Sequence, residues 1–282
     1  MAIFPLPRPL VETNVRAALA EDLGDAGDIT TLATIPAEAR ADAVIAARKP
    51  GIIAGTALAE AAFTLVDPAL KVEIVTQDGG TVEPGTEVIR LSGPARAILT
   101  AERVALNYLG HLSGIATATG DLVRAVEGTG VLIVCTRKTT PGLRTLEKHA
   151  VKCGGGQNHR FGLYDAVMIK DNHIAAAGSI AGALQAAKAA TGHMVKIEIE
   201  VDTLDQLGEV LEEGADVILL DNMSTEDMRK AVEVNAGRSI LEASGNVTID
   251  TVRAIAETGV DVISSGWITH SAPTLDLGLD WK

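Results

Sequence analysis

Short apolar runs alternate with helical patterns through the second half of the chain, and this alternation restricts the fold more than any other feature. "VLIVC" (131–135) leads through a Pro-Gly turn into "LRTLEKHAVKCG", and "AVMI" (166–169) into the alanine-rich stretch 179–190. "VKIEIEV" (195–201), "DVILL" (216–220) and "SILEA" (239–243) each precede a helical stretch, and "DVISS" (261–265) closes the series. Strands that alternate with helices build βαβ units around a parallel sheet. Polar residues end five of these runs: Lys170, Glu200, Asp221, Ser244 and Ser265, the last four at steps of 21, 23 and 21 residues. The C-terminal ends of parallel strands are where a βα barrel carries its active site. One such residue alone is most simply a helix cap or a solvated strand end; five in register point to a site. Six strands are fewer than the eight of a closed barrel, so the reading is an incomplete α/β barrel.

The first half follows another pattern. "ADAVIAARK" (41–49), "KVEIV" (71–75) and "TVEPGTEVIRLSGP" (81–94) read as strands with Pro-Gly turns, and helical patterns lie at 11–21 and 56–65. A long helical pattern begins near Ala95 and is broken near 110–116, where "HLSGIATATG" (111–120) sets in. The expected organisation is an N-terminal α+β domain over 1–112, a barrel over 113–270, and a tail at 271–282 that packs back on the N-terminal domain. With 47% hydrophobic but only 2% aromatic residues, alanine, valine, leucine and isoleucine must build both cores.

The 282 residues carry a formal net charge of -13, which argues against a partner with a phosphate backbone or an acidic membrane surface. No uninterrupted apolar run approaches the roughly 18 residues of a membrane span, and the proline-broken N-terminus lacks a signal-peptide core. Two cysteines, Cys135 and Cys153, are too few for a disulfide framework and fit a reducing compartment, with the cytoplasm as the expectation.

Against this acidic background, Thr136 to Lys170 holds seven lysines and arginines and only two acids. Arg137 and Lys138 follow a strand, His159 and Arg160 precede the next, and Lys170 ends it. Arginine forks suit carboxylates and phosphates, and lysine acts as a point charge. Cations concentrated at strand ends imply a small ligand with several negative charges. Arg144, Lys148 and Lys152 share a helical stretch with Glu147 and are expected on a solvated helix face.

"SGN" (244–246) and "SSGW" (264–267) end the last two strands. Their glycines permit close backbone approach, and the helix starts that follow offer N–H groups to a phosphate. Glu200 and Asp221 could ligate Mg²⁺ or balance Lys170. "CGGG" (153–156) is not a phosphate-binding Walker loop, since no Gly-Lys-Ser/Thr follows.

"TRKTTPGLRTLEKHAVKCGGGQNHRFGL" with "IKDNH", "EIEV", "LLDNM", "LEASGN" and "SSGWITHS" closely resembles the quinolinate phosphoribosyltransferase family. The likeness extends upstream through "LAEDLGDAGDITT" and "AERVALNYLGHLSGIAT" and so covers essentially the whole chain. It implies an α/β protein with an N-terminal α+β open sandwich domain followed by an incomplete α/β barrel, working as a homodimer or a dimer-based hexamer. It also implies a Mg²⁺-dependent reaction of quinolinate with 5-phosphoribosyl-1-pyrophosphate that yields nicotinate mononucleotide, pyrophosphate and CO₂ on the way to NAD.

The motif matches imply residue roles. Arg137, His159, Arg160 and Lys170 match the quinolinate-carboxylate cradle, and Lys138, beside Thr136, lies against the phosphoribosyl group. Glu200 and Asp221 match the ribose and Mg²⁺ carboxylates. Ser244, Gly245, Asn246, Ser264, Ser265 and Gly266 match phosphate-loop residues, with His270 nearby. Arg103 matches an arginine that enters the partner subunit's site; its ordinary alternative is a surface pair with Glu102. Lys138, Lys170, Glu200 and Asp221 are the expected catalytic set. Cys135 and Trp267 depart from the common pattern.

The implied chemistry needs no protein nucleophile: pyrophosphate leaves ribose C1, an oxocarbenium-like state develops, and the pyridine nitrogen attacks from the opposite face. The quaternised ring nitrogen then stabilises the carbanion left at C2. Three rival readings have to be kept apart. A molybdenum-linked or nicotinate-specific paralogue would not need every carboxylate-binding cation. A Schiff-base aldolase using Lys170 would not surround that lysine with other cations. A non-catalytic nucleotide-binding protein would have lost Lys138 or the acids.

Overall fold

The computed structural model describes residues 3–282, so the first two residues of the proline-broken N-terminus lie outside it. The chain forms two compact units. One takes the chain up to Gly120 with Thr145–Gly155 and Ala272–Lys282; the other takes Asp121–Arg144 and Gly156–Ser271.

The first unit opens with α1 (Arg8–Leu23) and α2 (Ile29–Thr34), the latter capped by Asp28, whose carboxylate accepts the Thr31 N–H at 2.9 Å. Then come β1 (Arg40–Ala47), β2 (Gly51–Ile52), α3 (Thr56–Val66), β3 (Lys71–Ile74), β4 (Thr81–Val82) and β5 (Glu87–Pro94). The stretch 81–94 is divided at its Pro-Gly turn, where Thr86 N–H reaches Glu83 O at 2.9 Å and Gly85 takes φ 88°. The C-terminal strand β12 (Leu277–Trp281) pairs antiparallel with β1 from Ala43↔Trp281 to Ala47↔Leu277, completing a sheet of order β12-β1-β5-β3. A second, two-stranded sheet joins β2 to β4.

The helix α4 (Ala95–Ala125) corrects the break expected at 110–116: it runs through that stretch unbroken for 31 residues. Its glycines serve close approach, not termination. A Cβ on Gly114 would lie 2.2 Å from Pro273 O, and Gly110 O accepts the Leu275 N–H at 3.0 Å.

The helix α5 (Arg144–Cys153) corrects a second expectation, the solvated face. Glu147 and Lys148 are fully buried and His149 is 9% exposed. The segment from Thr145 belongs to the first unit, where its charges find partners. His111 Nε2 meets Glu147 Oε1 at 2.9 Å, and His149 Nε2 meets Asp78 Oδ2 at 2.7 Å. Arg144, in the second unit, is also engaged: it donates to Thr139 Oγ1 at 3.0 Å and to Phe161 O at 2.9 Å.

The second unit contains β6 (Leu132–Val134), β7 (Val167–Ile169), α6 (Asp171–Ala177), α7 (Ile180–Ala190), β8 (Ile197–Val201), α8 (Leu204–Glu213), β9 (Val217–Asp221), α9 (Thr225–Asn235), β10 (Ile240–Ser244), α10 (Val252–Ala256), β11 (Val262–Ser264) and α11 (Trp267–His270). The six strands form one parallel sheet of order β6-β11-β10-β9-β8-β7, with β6 and β7 as its edges. Local chemistry sets the helix starts. Thr203 and Gln206 form a reciprocal capping box on α8, while Ser179 and Ser224 cap α7 and α9. One face of the sheet is apolar: Ile199, Val201, Ile218, Leu220, Ala243 and Ile263 are fully buried, each large side chain contributing about 1.5–3 kcal/mol. Side chains alternate along a strand, so the intervening residues share the opposite face. Those residues are Glu198 and Glu200, Leu219 and Asp221, Glu242 and Ser244, and Ser264.

Candidate active site

The opposite face opens into a cavity of about 800 Å³, which gathers every site residue expected from the second unit. Thr136, Arg137 and Lys138 enter from beyond β6, His159 and Arg160 from before β7, and Lys170 from its end. Glu200 comes from β8, Asp221 from β9, and Ser244, Gly245 and Asn246 from β10. Ser264, Ser265, Gly266 and His270 come from β11 and the turn after it. Arg103 stands in the first unit, exposed on α4, and forms no ion pair with Glu102 or any other acid among the described residues.

The deep part of the cavity is built from two arginines. Arg160 Nη1 donates to Ala166 O at 3.1 Å, but its Nε and that of Arg137 are buried without a hydrogen-bond partner. Burial and the neighbouring Arg137 both hold the Arg160 guanidinium below its ordinary pKa. Buried N–H groups without partners cost about 1–3 kcal/mol each, so this pair is arranged for an anion.

His159 is placed differently from a free carboxylate donor. Its Nδ1 accepts the Arg160 backbone N–H at 2.8 Å, which puts the ring proton on Nε2. Nε2 faces Glu198 Oε2 at 3.0 Å and Glu242 Oε1 at 3.6 Å. Both ring nitrogens are therefore engaged within the chain. The expected reading had not included these two glutamates. Their signal was legible, because each lies two residues before an expected strand-end residue and so on the same face of its strand.

At the acidic side, Lys170 Nζ pairs with Glu200 Oε2, and Asp221 Oδ2 accepts from Asn222 Nδ2 at 2.7 Å. Glu200, Asp221 and Asp202 bring one carboxylate oxygen each within 4.8 Å of one another. An all-oxygen donor set of this kind suits Mg²⁺.

The helix starts expected after the two Ser-Gly turns differ from one another. No helix begins directly after Ser244, since α10 starts only at Val252, and Gly245 to Thr248 form a loop against the cavity. Gly245 has φ 96°, and a Cβ there would lie 2.1 Å from Asn222 Oδ1. After Ser265 the chain makes only the single turn of α11, with Gly266 as its cap. There Lys138 is fixed through its backbone: its N–H reaches Thr136 Oγ1 at 3.0 Å, and its carbonyl accepts from Thr269 Oγ1 at 2.8 Å. Its side chain passes over Gly266, where a Cβ would lie 2.8 Å from Lys138 Cδ. Its ammonium has no ion-pair partner among the described residues. Trp267, 44% exposed, lines the same opening.

A second cluster, Asp78 with His149 and Cys153, lies in the first unit. Asp78 Oδ1 accepts from Thr56 N and Oγ1, and its Oδ2 from His149, while burial and Asp78 push the Cys153 thiol up. The group is a satisfied structural network.

Comparison with known proteins places the whole chain. The family descriptions "Quinolinate phosphoribosyl transferase, N-terminal domain" and "Quinolinate phosphoribosyl transferase, C-terminal domain" match residues 28–113 and 115–280. The chain is 46% identical over 260 residues, 92% of its length and 89% of the relative's, to the probable nicotinate-nucleotide pyrophosphorylase [carboxylating] of Bacillus subtilis. It is 45% identical to the chloroplastic nicotinate-nucleotide pyrophosphorylase [carboxylating] of Oryza sativa, covering 94% of this chain and 76% of that one. The solved nicotinate-nucleotide pyrophosphorylase of Francisella tularensis superposes with a TM-score of 0.94 at 38% identity, over 100% of this chain and 99% of that one.

Proposed function

The chain belongs to the quinolinate phosphoribosyltransferase family, and from that premise we infer how its own residues carry the reaction. Its activity is that of quinolinate phosphoribosyltransferase, the nicotinate-nucleotide pyrophosphorylase of NAD biosynthesis. The observation that carries the assignment of roles is the pair of buried, partnerless arginine Nε–H groups, Arg137 and Arg160. Two guanidiniums side by side repel one another, and a dicarboxylate relieves both the repulsion and the lost hydrogen bonds. Quinolinate's two carboxylates are seated there, with Lys170 as the third cation. His159 does not grip the ligand itself but fixes the Arg160 backbone through its Nδ1.

Lys138, unpaired and held over Gly266, meets the charge of the leaving pyrophosphate. The Gly245–Thr248 loop and the Ser264–Gly266 turn receive the ribose phosphate. Glu200 and Asp221, with Asp202 beside them, would hold Mg²⁺, which supplies charge neutralisation to the pyrophosphate when bound. The same carboxylates favour the positive charge that develops on the ribose. Catalysis is positioning and electrostatics, with no protein nucleophile. Arg103, exposed and without an ion pair, completes the site of a partner subunit in a homodimer or an assembly of dimers. No helix of the described residues is long and apolar enough to cross a membrane, and both cysteines are free and buried. We place the chain in the cytoplasm.

Turnover of quinolinate against nicotinate tests the cradle. Nicotinate leaves a buried cation unpaired, so its kcat/KM should be lower by about 10³–10⁵-fold. Comparable values for the two acids would remove the dicarboxylate reading and favour a nicotinate-specific paralogue.

A further inference from the structure

One cluster in the cavity exceeds what binding requires. Glu242 and Glu198 are only 4% and 6% exposed, and each keeps an Oε1 buried without a hydrogen-bond partner. Between them stands one imidazole. His159 accepts the Arg160 N–H on Nδ1, so its ring offers one N–H, at Nε2. Glu198 Oε2 receives that proton at 3.0 Å, and Glu242 Oε1, at 3.6 Å, is left out. The same tautomer argues against a metal ion at this cluster, because Nε2 has no lone pair to give. Two buried carboxylates that share one ring N–H cannot both be charged cheaply. The group farther from the imidazole N–H is the one that keeps a proton. Burial, and then the Glu198 charge, push the Glu242 carboxyl up to about 7, against His159, Ser264 and Lys170.

The reaction has a matching need. When quinolinate loses CO₂, the C2–carboxyl bond breaks and its electron pair stays on C2. A proton must arrive there, and one is consumed per turnover. Resting on the quinolinate reading above, we propose that Glu242 holds the proton that C2 receives, and that the site takes it up as the dicarboxylate binds. The Oε–H bond of Glu242 breaks, the C2–H bond forms, and Glu242 is left as a carboxylate. The product, with one carboxylate fewer, departs, and Glu242 regains a proton from water as the next quinolinate binds. Uptake on binding follows from charge. A dianion laid against Lys170 offsets a cation that favours an ionised Glu242, so the bound ligand favours the neutral carboxyl.

Calorimetric titration of the full-length protein with quinolinate, in buffers of different ionisation enthalpy, tests this. At pH 7.5 the wild type should take up about 0.5–0.75 proton per site, and at pH 5.5, where Glu242 is already neutral, close to none. Glu242→Gln should bind quinolinate without uptake. Its kcat should fall by about 10²–10³-fold, with KM for quinolinate changed less than about threefold. Binding with no uptake by the wild type overturns the inference, and that measurement decides even if the variant does not fold. Uptake that persists in Glu242→Gln assigns the proton to another group and overturns it too, as does an unchanged kcat. A titration that detects no quinolinate binding overturns the dicarboxylate reading as well, so the two failures are distinguishable.

Discussion

At the scale of single residues, the ends of β9 and β10 show how tightly the cavity wall is specified. Asn222 and Asn246 both take positive φ, 53° and 49°, and Gly245 between their loops has φ 96°. Asn222 N–H donates to Ser244 O at 2.9 Å, and Asn246 Nδ2 reaches Asn222 Oδ1 at 3.4 Å. No side chain fits at Gly245, because its Cβ would overlap Asn222. Gly245→Ala should therefore lose about 1–3 kcal/mol in denaturant unfolding. It should also raise KM for phosphoribosyl pyrophosphate more than KM for quinolinate, since the displaced Asn222 borders the phosphate loop and not the arginine pair. The glycine was readable in "SGN" as a place of close backbone approach. Its neighbour was not, because Asn222 comes from another strand and meets Gly245 only through the β9–β10 register.

At the scale of elements, two predictions separate a working strand end from a structural helix. The ends of β8 and β9 carry the carboxylates assigned to Mg²⁺. Chelating the metal should abolish turnover while quinolinate binding stays measurable by calorimetry, because the arginine pair binds carboxylates without a metal. Asp221→Ala with full activity and unchanged Mg²⁺ dependence would refute the assignment. The helix α5 is tied down by the His149–Asp78 pair. Burial would raise the Asp78 carboxyl, but the His149 hydrogen bond and those from Thr56 outweigh it and hold the carboxyl below the usual range. A carboxylate depressed in the folded state stabilises at pH above its unfolded value, about 4, and that stability fades as the pH falls through the lower native value. Asp78→Asn should cost about 1–3 kcal/mol at pH 7 and flatten the acid limb of the unfolding curve below about pH 4. An equally steep acid limb in the variant would show that other groups set it. The sequence of α5 did not announce this burial. Glu147, Lys148 and His149 in succession look solvated until the helix is seen to belong with the first unit.

At the scale of the whole molecule, the question is whether one chain makes a whole site. Every other proposed cation comes from the second unit, while Arg103 lies on α4 of the first. If Arg103 works in the partner's site, Arg103→Ala and Lys170→Ala are complementary defects. Mixed and allowed to exchange, about half of the dimers carry one of each chain, and one of their two sites is intact, so about a quarter of wild-type activity should return. No recovery after mass spectrometry has shown mixed dimers would place Arg103 in its own subunit or outside the site. Assembly beyond the dimer leaves the fraction unchanged if sites are shared only within dimers.

The sequence by itself determined the elements that repeat. Strand and helix periods, and polar residues at steps of 21, 23 and 21, fixed six parallel strands and the end at which the cavity opens. These are local properties of the chain: side-chain alternation and helix caps act over a few residues. Tertiary structure decided what depends on approach between distant segments. Gly110 and Gly114 looked like a helix break, yet they are gaps that admit the backbone near Pro273 and Leu275. Strand alternation puts Glu198 and Glu242 on the site face, but only the approach of β8, β10 and the loop before β7 sets both around His159. Whether a carboxyl there carries a proton depends on what surrounds it, because burial and neighbouring charge set its pKa, and a linear sequence contains neither.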